Sequence, residues 1–207
     1  MYLSITTRCN MQCSHCCMSA TSEGKDMSLE VFKAAIQLDE CATLGGGEPT
    51  LHPQFEKFLF LAMANCEYVW LATNGSNTEI ALSLAKLAKK GIIGCDLSQD
   101  DFHDPIDQEV IDAFTIGKNV TTCYGCETHD LRGIRNVNNH VLNVGRAKEG
   151  GIGWEEGCGC EDIFIDTDGN AHRCGCLGSP IIGDVFNGIE NLELGNCCYR
   201  IKGTVNG

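Results

Sequence analysis

The sequence has no run of about 18 consecutive apolar residues, which excludes a hydrophobic membrane-spanning helix. No basic stretch followed by an apolar one precedes the first cysteine, so nothing reads as a secretory signal. Positive charge is scarce: 15 Lys and Arg stand against 28 Asp and Glu, a net charge of −13. A field of that sign repels phosphate backbones and anionic membrane surfaces, and no block of Lys and Arg offsets it. The charge therefore argues against nucleic acid and membrane as partners. Internal repeats and a low-complexity tail are also missing.

Cysteine, by contrast, is abundant, at 15 in 207 residues. Without a secretory signal, and with an odd count, these read as ligands of iron–sulfur or zinc sites in a reduced, cytoplasmic protein rather than as disulfides. The length suits one domain with a small appendage, and 43% hydrophobic content is enough for a sizeable core.

Apolar periodicity alternates between strand and helix over the first two-thirds of the chain. Strands are expected at 2–6, 41–44, 68–72 and 92–98, and weaker ones at 119–124 and 140–145. Helices are expected at 27–40 with Ser28 as N-cap, at 52–64, at 77–90 closed by Gly91, and at 105–116. This pattern is that of an α/β protein with a parallel sheet, whose ligands gather at the C-terminal ends of the strands. The polar motifs RCNMQC, GGGEP, TNG, SQDDFH and GRA fall at those ends. From about residue 150 the chain becomes Gly- and Cys-rich, with one hairpin expected at 162–174 turning at Asp168-Gly169. So small an apolar content calls for a metal as the core.

Cys9, Cys13 and Cys16 are spaced C-x3-C-x2-C. Four thiolates saturate a zinc ion or a four-iron cluster; three leave one iron of a cubane open to an amine and a carboxylate. In GGGEP (45–49) the missing side chains let the backbone approach a ligand closely, with N–H and C=O groups to offer a zwitterion.

The cysteine loop after the first strand, followed by GGGEP after the second, resembles the radical S-adenosylmethionine (radical SAM) superfamily. The resemblance implies a partial (β/α)6 TIM barrel over 1–150 and a Cys-rich extension over 151–207. It places a [4Fe–4S] cluster on Cys9, Cys13 and Cys16, with His15 in the slot where an aromatic commonly precedes the last cysteine. Gly46, Gly47 and Glu48 meet the methionine amino group of S-adenosylmethionine, and Thr73 and Asn74 line the adenosine. Ser98 and Asp100 bind its ribose or carboxylate, with Asp96 turned to the other face of the strand. Arg146, in GRA, forms a bidentate pair with the carboxylate. His103 is a candidate substrate contact or proton donor, or else a loop histidine.

The tail resembles the SPASM and twitch extensions of that superfamily, which implies one further [4Fe–4S] cluster on Cys160, Cys174, Cys176 and Cys197. Cys158 and Cys198 are alternates, and a structural zinc is the competing reading. Cys123 and Cys126 form C-x2-C, which suits a metal, a redox disulfide or neither. Cys17, Cys41, Cys66 and Cys95 are expected as small buried residues.

The activity implied is reductive cleavage of S-adenosylmethionine to a 5′-deoxyadenosyl radical, which abstracts hydrogen from a peptide or small metabolite. The electron comes from a donor such as flavodoxin or ferredoxin. The chain starts at its first strand, so a leader-binding domain is either lacking or borrowed. Modification of a nucleotide or DNA base, an electron carrier without catalysis, and activation of a partner as a glycyl radical are the other readings. An electron carrier has no need of GGGEP, TNG and GRA at successive strand ends.

Overall fold

A computed structural model of the chain describes residues 1–115, 130–138, 141–153, 162–175 and 179–190. The expected strand at 119–124 and Cys123, Cys126, Cys158, Cys160, Cys176, Cys197 and Cys198 lie outside these residues.

Strands β1 (Tyr2–Thr6), β2 (Cys41–Gly46), β3 (Tyr68–Thr73), β4 (Gly94–Ser98) and β5 (Arg132–Arg135) pair in parallel, each beside the next. Between them run helices α1 (Leu29–Ala35), α2 (Phe55–Asn65), α3 (Thr78–Lys89) and α4 (Gln108–Phe114). The helices begin where their caps allow. The Ser28 hydroxyl accepts from the Val31 N–H at 3.2 Å, and Asn77 Oδ1 from that of Ile80 at 3.3 Å. Each helix turns an apolar stripe to the sheet. Phe32 of α1 stacks on Phe58 of α2 with ring centroids 4.0 Å apart, and the same layer receives Leu3, Leu44, Leu71 and Leu97, all fully buried. The alternate strand residues face the other way, into the lumen of a partial barrel.

That alternation corrects one expectation. Cys95 and Leu97 are the buried, helix-facing residues of β4, so Asp96 shares the lumen side with Ser98. Residues two apart on a strand lie on one face. Two elements also differ. The strand β5, with sequence RGIR, was not expected. Residues 140–145 form no regular strand among the described residues; they lead into the short helix α5 (Gly145–Glu149).

After α5 the chain returns to the opposite edge of the sheet. β6 (Phe164–Ile165) pairs in parallel with β1 and is thus the sixth parallel strand, beside β1 rather than beyond β5. The strands β7 (Asn170–His172), β8 (Ile181–Asp184) and β9 (Gly188–Ile189) continue it antiparallel. The sheet order is β5-β4-β3-β2-β1-β6-β7-β8-β9. The β6–β7 turn is where expected, with Gly169 at φ +89°. Asp166 closes it by accepting from the N–H groups of Asp168 and Asn170. Among the described residues no helix is long and apolar enough to cross a membrane.

Candidate active site

The C-terminal ends of β1 to β5 surround a cavity of about 200 Å³. Its roof is the loop between β1 and α1. Arg8 fixes the base of this loop: Nε and a terminal nitrogen reach the two oxygens of Asp26 at 3.0 and 2.7 Å, and the same nitrogen reaches the Leu51 carbonyl at 2.9 Å. The Cys9 N–H donates to Thr21 O at 2.8 Å, folding the loop back on itself. The thiols of Cys9, Cys13 and Cys16 are half-buried and face the cavity. Burial, then the charges of Cys9 and Cys16, push the Cys13 thiol up to about 11. Burial likewise raises Cys9. Thiolates crowded in this way are relieved by a bound cation, which fits three metal ligands.

The glycines of GGGEP are required by the chain itself. A Cβ on Gly46 would meet Thr6 O at 2.0 Å, and one on Gly47 would meet Arg8 O at 2.1 Å. Gly46, also at φ +122°, donates its N–H to the Tyr2 hydroxyl at 2.8 Å. The N–H groups of Gly47 and Glu48 go to Thr6 O and Arg8 O at 2.7 and 2.8 Å. With its N–H groups spent, what this turn offers a ligand is carbonyl oxygen, the acceptor that an ammonium needs.

The Glu48 side chain is only 2% exposed. Its Oε1 accepts from the Thr50 and Thr73 hydroxyls at 2.7 and 2.8 Å, and Oε2 from the Asn74 N–H at 2.7 Å. It therefore braces β2 against β3 rather than presenting a free carboxylate. Burial raises its pKa against these hydrogen bonds. Asn74 carries the tie to the roof, donating from Nδ2 to Asn10 Oδ1 at 3.0 Å.

Past β4, the Asp100 side chain is 1% exposed. Its Oδ1 accepts from His103 Nδ1 at 2.7 Å and from the Phe102 N–H at 3.1 Å. Its Oδ2 is buried without a hydrogen-bond partner among the described residues, 3.8 Å from His15 Nε2. Burial works to raise the carboxyl, but the His103 hydrogen bond and charge hold it below the usual range. The His15 ring lies 4.7 Å from Phe102 and 5.2 Å from His103, and burial lowers its pKa. A buried carboxylate oxygen left open is costly unless a ligand completes it. Donor atoms of His15, Asp100 and His103 lie within 4.8 Å of one another, so a divalent cation is one such ligand and a hydroxyl is another.

A sequence profile described as the Radical SAM superfamily matches residues 3–120. The chain belongs to the radical SAM superfamily. Two solved structures share the fold. Native anSMEcpe with bound AdoMet gives a TM-score of 0.55 at 16% identity, covering 89% of this chain and 77% of that one. Native anSMEcpe with bound AdoMet and a Cp18Cys peptide gives 0.54 at 16%, covering 89% and 76%. At that identity the likeness is one of fold. No curated protein is similar enough to match. As a radical SAM protein the chain is an enzyme whose family cofactors are S-adenosylmethionine and a [4Fe–4S] cluster.

In this radical SAM enzyme Arg146 does not stand where the sequence reading put it. Its guanidinium donates to the carbonyls of Cys13, at 2.8 Å, and Ala20, and its backbone N–H donates to Cys16 O at 3.0 Å. Gly145, at φ +54°, lets this happen, since a Cβ there would meet Cys17 O at 2.4 Å. The GRA segment is a clamp on the back of the cysteine loop.

The cation that does line the cavity is Arg135, at the end of β5, with no carboxylate in ion-pair distance among the described residues. Sequence reasoning missed it because its strand was missed. Tyr2 was missed as well: it lines the cavity, stacks on Phe164 of β6 at 5.4 Å, and burial pushes its phenol up to about 12. Ser98, Thr73 and His103 line the cavity too. Of the four lone cysteines expected to be buried, Cys95 is; Cys66 is half-buried, and Cys17 and Cys41 are exposed. In the tail Cys174 is buried just after β7, its Sγ 3.6 Å from Ser179 Oγ. Cys160, Cys176 and Cys197 lie outside the described residues.

Proposed function

We propose that Cys9, Cys13 and Cys16 hold a [4Fe–4S] cluster and that the cavity below them seats S-adenosylmethionine. The enzyme then takes hydrogen from a peptide or small-metabolite substrate. The observation that carries this reading is the meeting around one cavity of three crowded thiols with Arg135 and an Asp100 oxygen that, among the described residues, have no ion-pair or hydrogen-bond partner. When bound, such a cluster supplies the one-electron cleavage of S-adenosylmethionine to methionine and a 5′-deoxyadenosyl radical.

The chain's own residues do the rest. Arg135 pairs with the ligand's carboxylate, as a guanidinium does. The carbonyls of the Gly45–Gly47 turn accept from its ammonium. Asp100 Oδ2 accepts from ribose hydroxyls, while His103 holds Oδ1. The His15 and Phe102 rings offer faces to adenine. Arg146 and the Arg8–Asp26 pair keep the cysteine loop in shape. The reading also includes a second [4Fe–4S] cluster on Cys160, Cys174, Cys176 and Cys197 and an external flavodoxin- or ferredoxin-type electron donor. The burial of Cys174 beside the hairpin docked on β1 supports the second cluster.

The test is anaerobic reconstitution, reduction with dithionite and measurement of 5′-deoxyadenosine formed from S-adenosylmethionine. Wild type is expected to form it, and a Cys9→Ala, Cys13→Ala, Cys16→Ala variant to form none. Its absence from the reconstituted wild type would overturn the reading.

A further inference from the structure

Trp70 of β3 and Asp96 of β4 both lie on the lumen face, Trp70 in the wall of the cavity described above. The indole of Trp70 of β3 packs over Gly94 of β4: a Cβ there would sit 2.0 Å from Trp70 Cδ1 and 2.6 Å from Nε1. Asp96 of β4 lies in the same manner across Gly133 of β5, with Oδ1 at 2.1 Å from such a Cβ. Each leans onto its register partner in the next strand. The indole therefore rests on β4 two residues before Asp96, one strand repeat of roughly 6.7 Å away. Trp70 lines the cavity. Asp96 is half-buried and makes no hydrogen bond or ion pair with any described residue. Burial raises its pKa, and only the attraction of Arg135 opposes this. A carboxylate in that position is unfavourable by itself, and the fold keeps room for it by placing glycine opposite.

We propose that Trp70 and Asp96 form a subsite for an organic cation, an ammonium or guanidinium carried by the substrate. An aromatic face attracts a cation within about 6 Å of its centroid, and the neighbouring carboxylate supplies the counter-charge. The inference rests on the proposed seating of S-adenosylmethionine, and it adds an order of binding. Arg135 is on the same face as Asp96 and competes for its charge. Once a ligand carboxylate has paired with Arg135, Asp96 is left for the substrate cation. S-adenosylmethionine therefore strengthens cation binding, and by linkage the cation strengthens S-adenosylmethionine binding equally.

The test is calorimetric titration of the full-length reconstituted protein, with and without S-adenosylmethionine. The probes are the N-acetyl methylamides of lysine, arginine and norleucine, the last being the uncharged control. At least one cationic probe is expected to bind about tenfold tighter than norleucine, and about fivefold tighter with S-adenosylmethionine present than without it. Asp96→Asn is expected to remove that tenfold preference, and Trp70→Leu to weaken the cation about fivefold. Asp96→Asn deletes the charge that competes for Arg135 without changing shape, so without the cation it is expected to bind S-adenosylmethionine as tightly as wild type or up to about fivefold tighter, and the cation no longer strengthens that binding. Equal binding of charged and uncharged probes, no saturable binding of either cation, or an unchanged preference in Asp96→Asn would overturn the subsite. Failure of S-adenosylmethionine itself to bind would instead sink the seating reading, so the two failures are told apart in one experiment.

Discussion

Arg146 spends its guanidinium on the carbonyls of Cys13 and Ala20, whereas Arg135 lines the cavity and makes no ion pair at contact distance among the described residues. Their substitutions are therefore expected to separate. Arg135→Ala should weaken S-adenosylmethionine binding by about tenfold or more, the worth of one charged hydrogen-bonded pair, with iron content unchanged. Arg146→Ala should do the reverse: iron content falls because the loop loses its clamp, while molecules that keep the cluster bind S-adenosylmethionine within about twofold of wild type. Iron assay and equilibrium dialysis on the same preparations check both. Glu48 gives a third case. Replacing it by Ala leaves the Thr73 hydroxyl and the Asn74 N–H without their acceptor, so a loss of about 3 kcal/mol is expected in chemical denaturation. Burial holds the pKa of Glu48 above its ordinary 4.5, so the folded protein takes up that proton before the unfolded chain does. The stability this contributes is complete below 4.5 and is lost as pH rises through the folded value. Wild type should thus gain stability relative to Glu48→Gln as pH is lowered from 7 toward 4.5.

At the scale of elements, β1 is central because β6 covers its second edge. Tyr2 pairs with Phe164 and Leu3 with Ile165, and Ile165 and Ala171 belong to the same buried core as the barrel strands. A chain cut after residue 153 would expose that edge and empty part of the core. It is expected to aggregate or to unfold at a markedly lower temperature, checked by size-exclusion chromatography and thermal circular dichroism. A soluble truncated barrel with the wild-type melting temperature would contradict this.

The same elements show what could be read in advance. β1 and helices α1 to α4 were legible because each carries a full apolar face, a cap such as Ser28 or Asn77, or both. β5 was not, since RGIR has charged residues at both ends and among the described residues pairs only with β4. Missing that strand hid Arg135, while Arg146 was singled out by the resemblance of its GRA motif. The cysteine triad and the strand-end motifs were legible as local strings. Asp96 and Ser98 are two apart on one strand and share a face, which alternation alone dictates; that Arg146 of α5 docks on the cysteine loop is a long-range placement that no local string records.

Over the whole molecule, the roof cysteines follow β1 and the tail cysteine Cys174 follows β7, two strands along one continuous sheet with β6 between them. Phe164, stacked on Tyr2 of the cavity wall, also packs beneath Gly175, the residue after Cys174. A second metal centre at Cys174 would thus sit on the frame that shapes the cavity, and iron counting decides whether it is there. With two four-iron clusters, the reconstituted chain is expected to hold about eight irons, falling to about four in the Cys9→Ala, Cys13→Ala, Cys16→Ala variant. Changing Cys174 to Ala should independently leave about four, with cleavage of S-adenosylmethionine retained, because the triad cluster alone drives that step. About four irons in wild type and none in the triple variant would mean that the tail holds zinc or no metal. The barrel would then carry the chemistry by itself. A loss of all iron on changing Cys174 alone would mean that the hairpin supports the cysteine loop, for which β6 and β1 offer a route through the sheet.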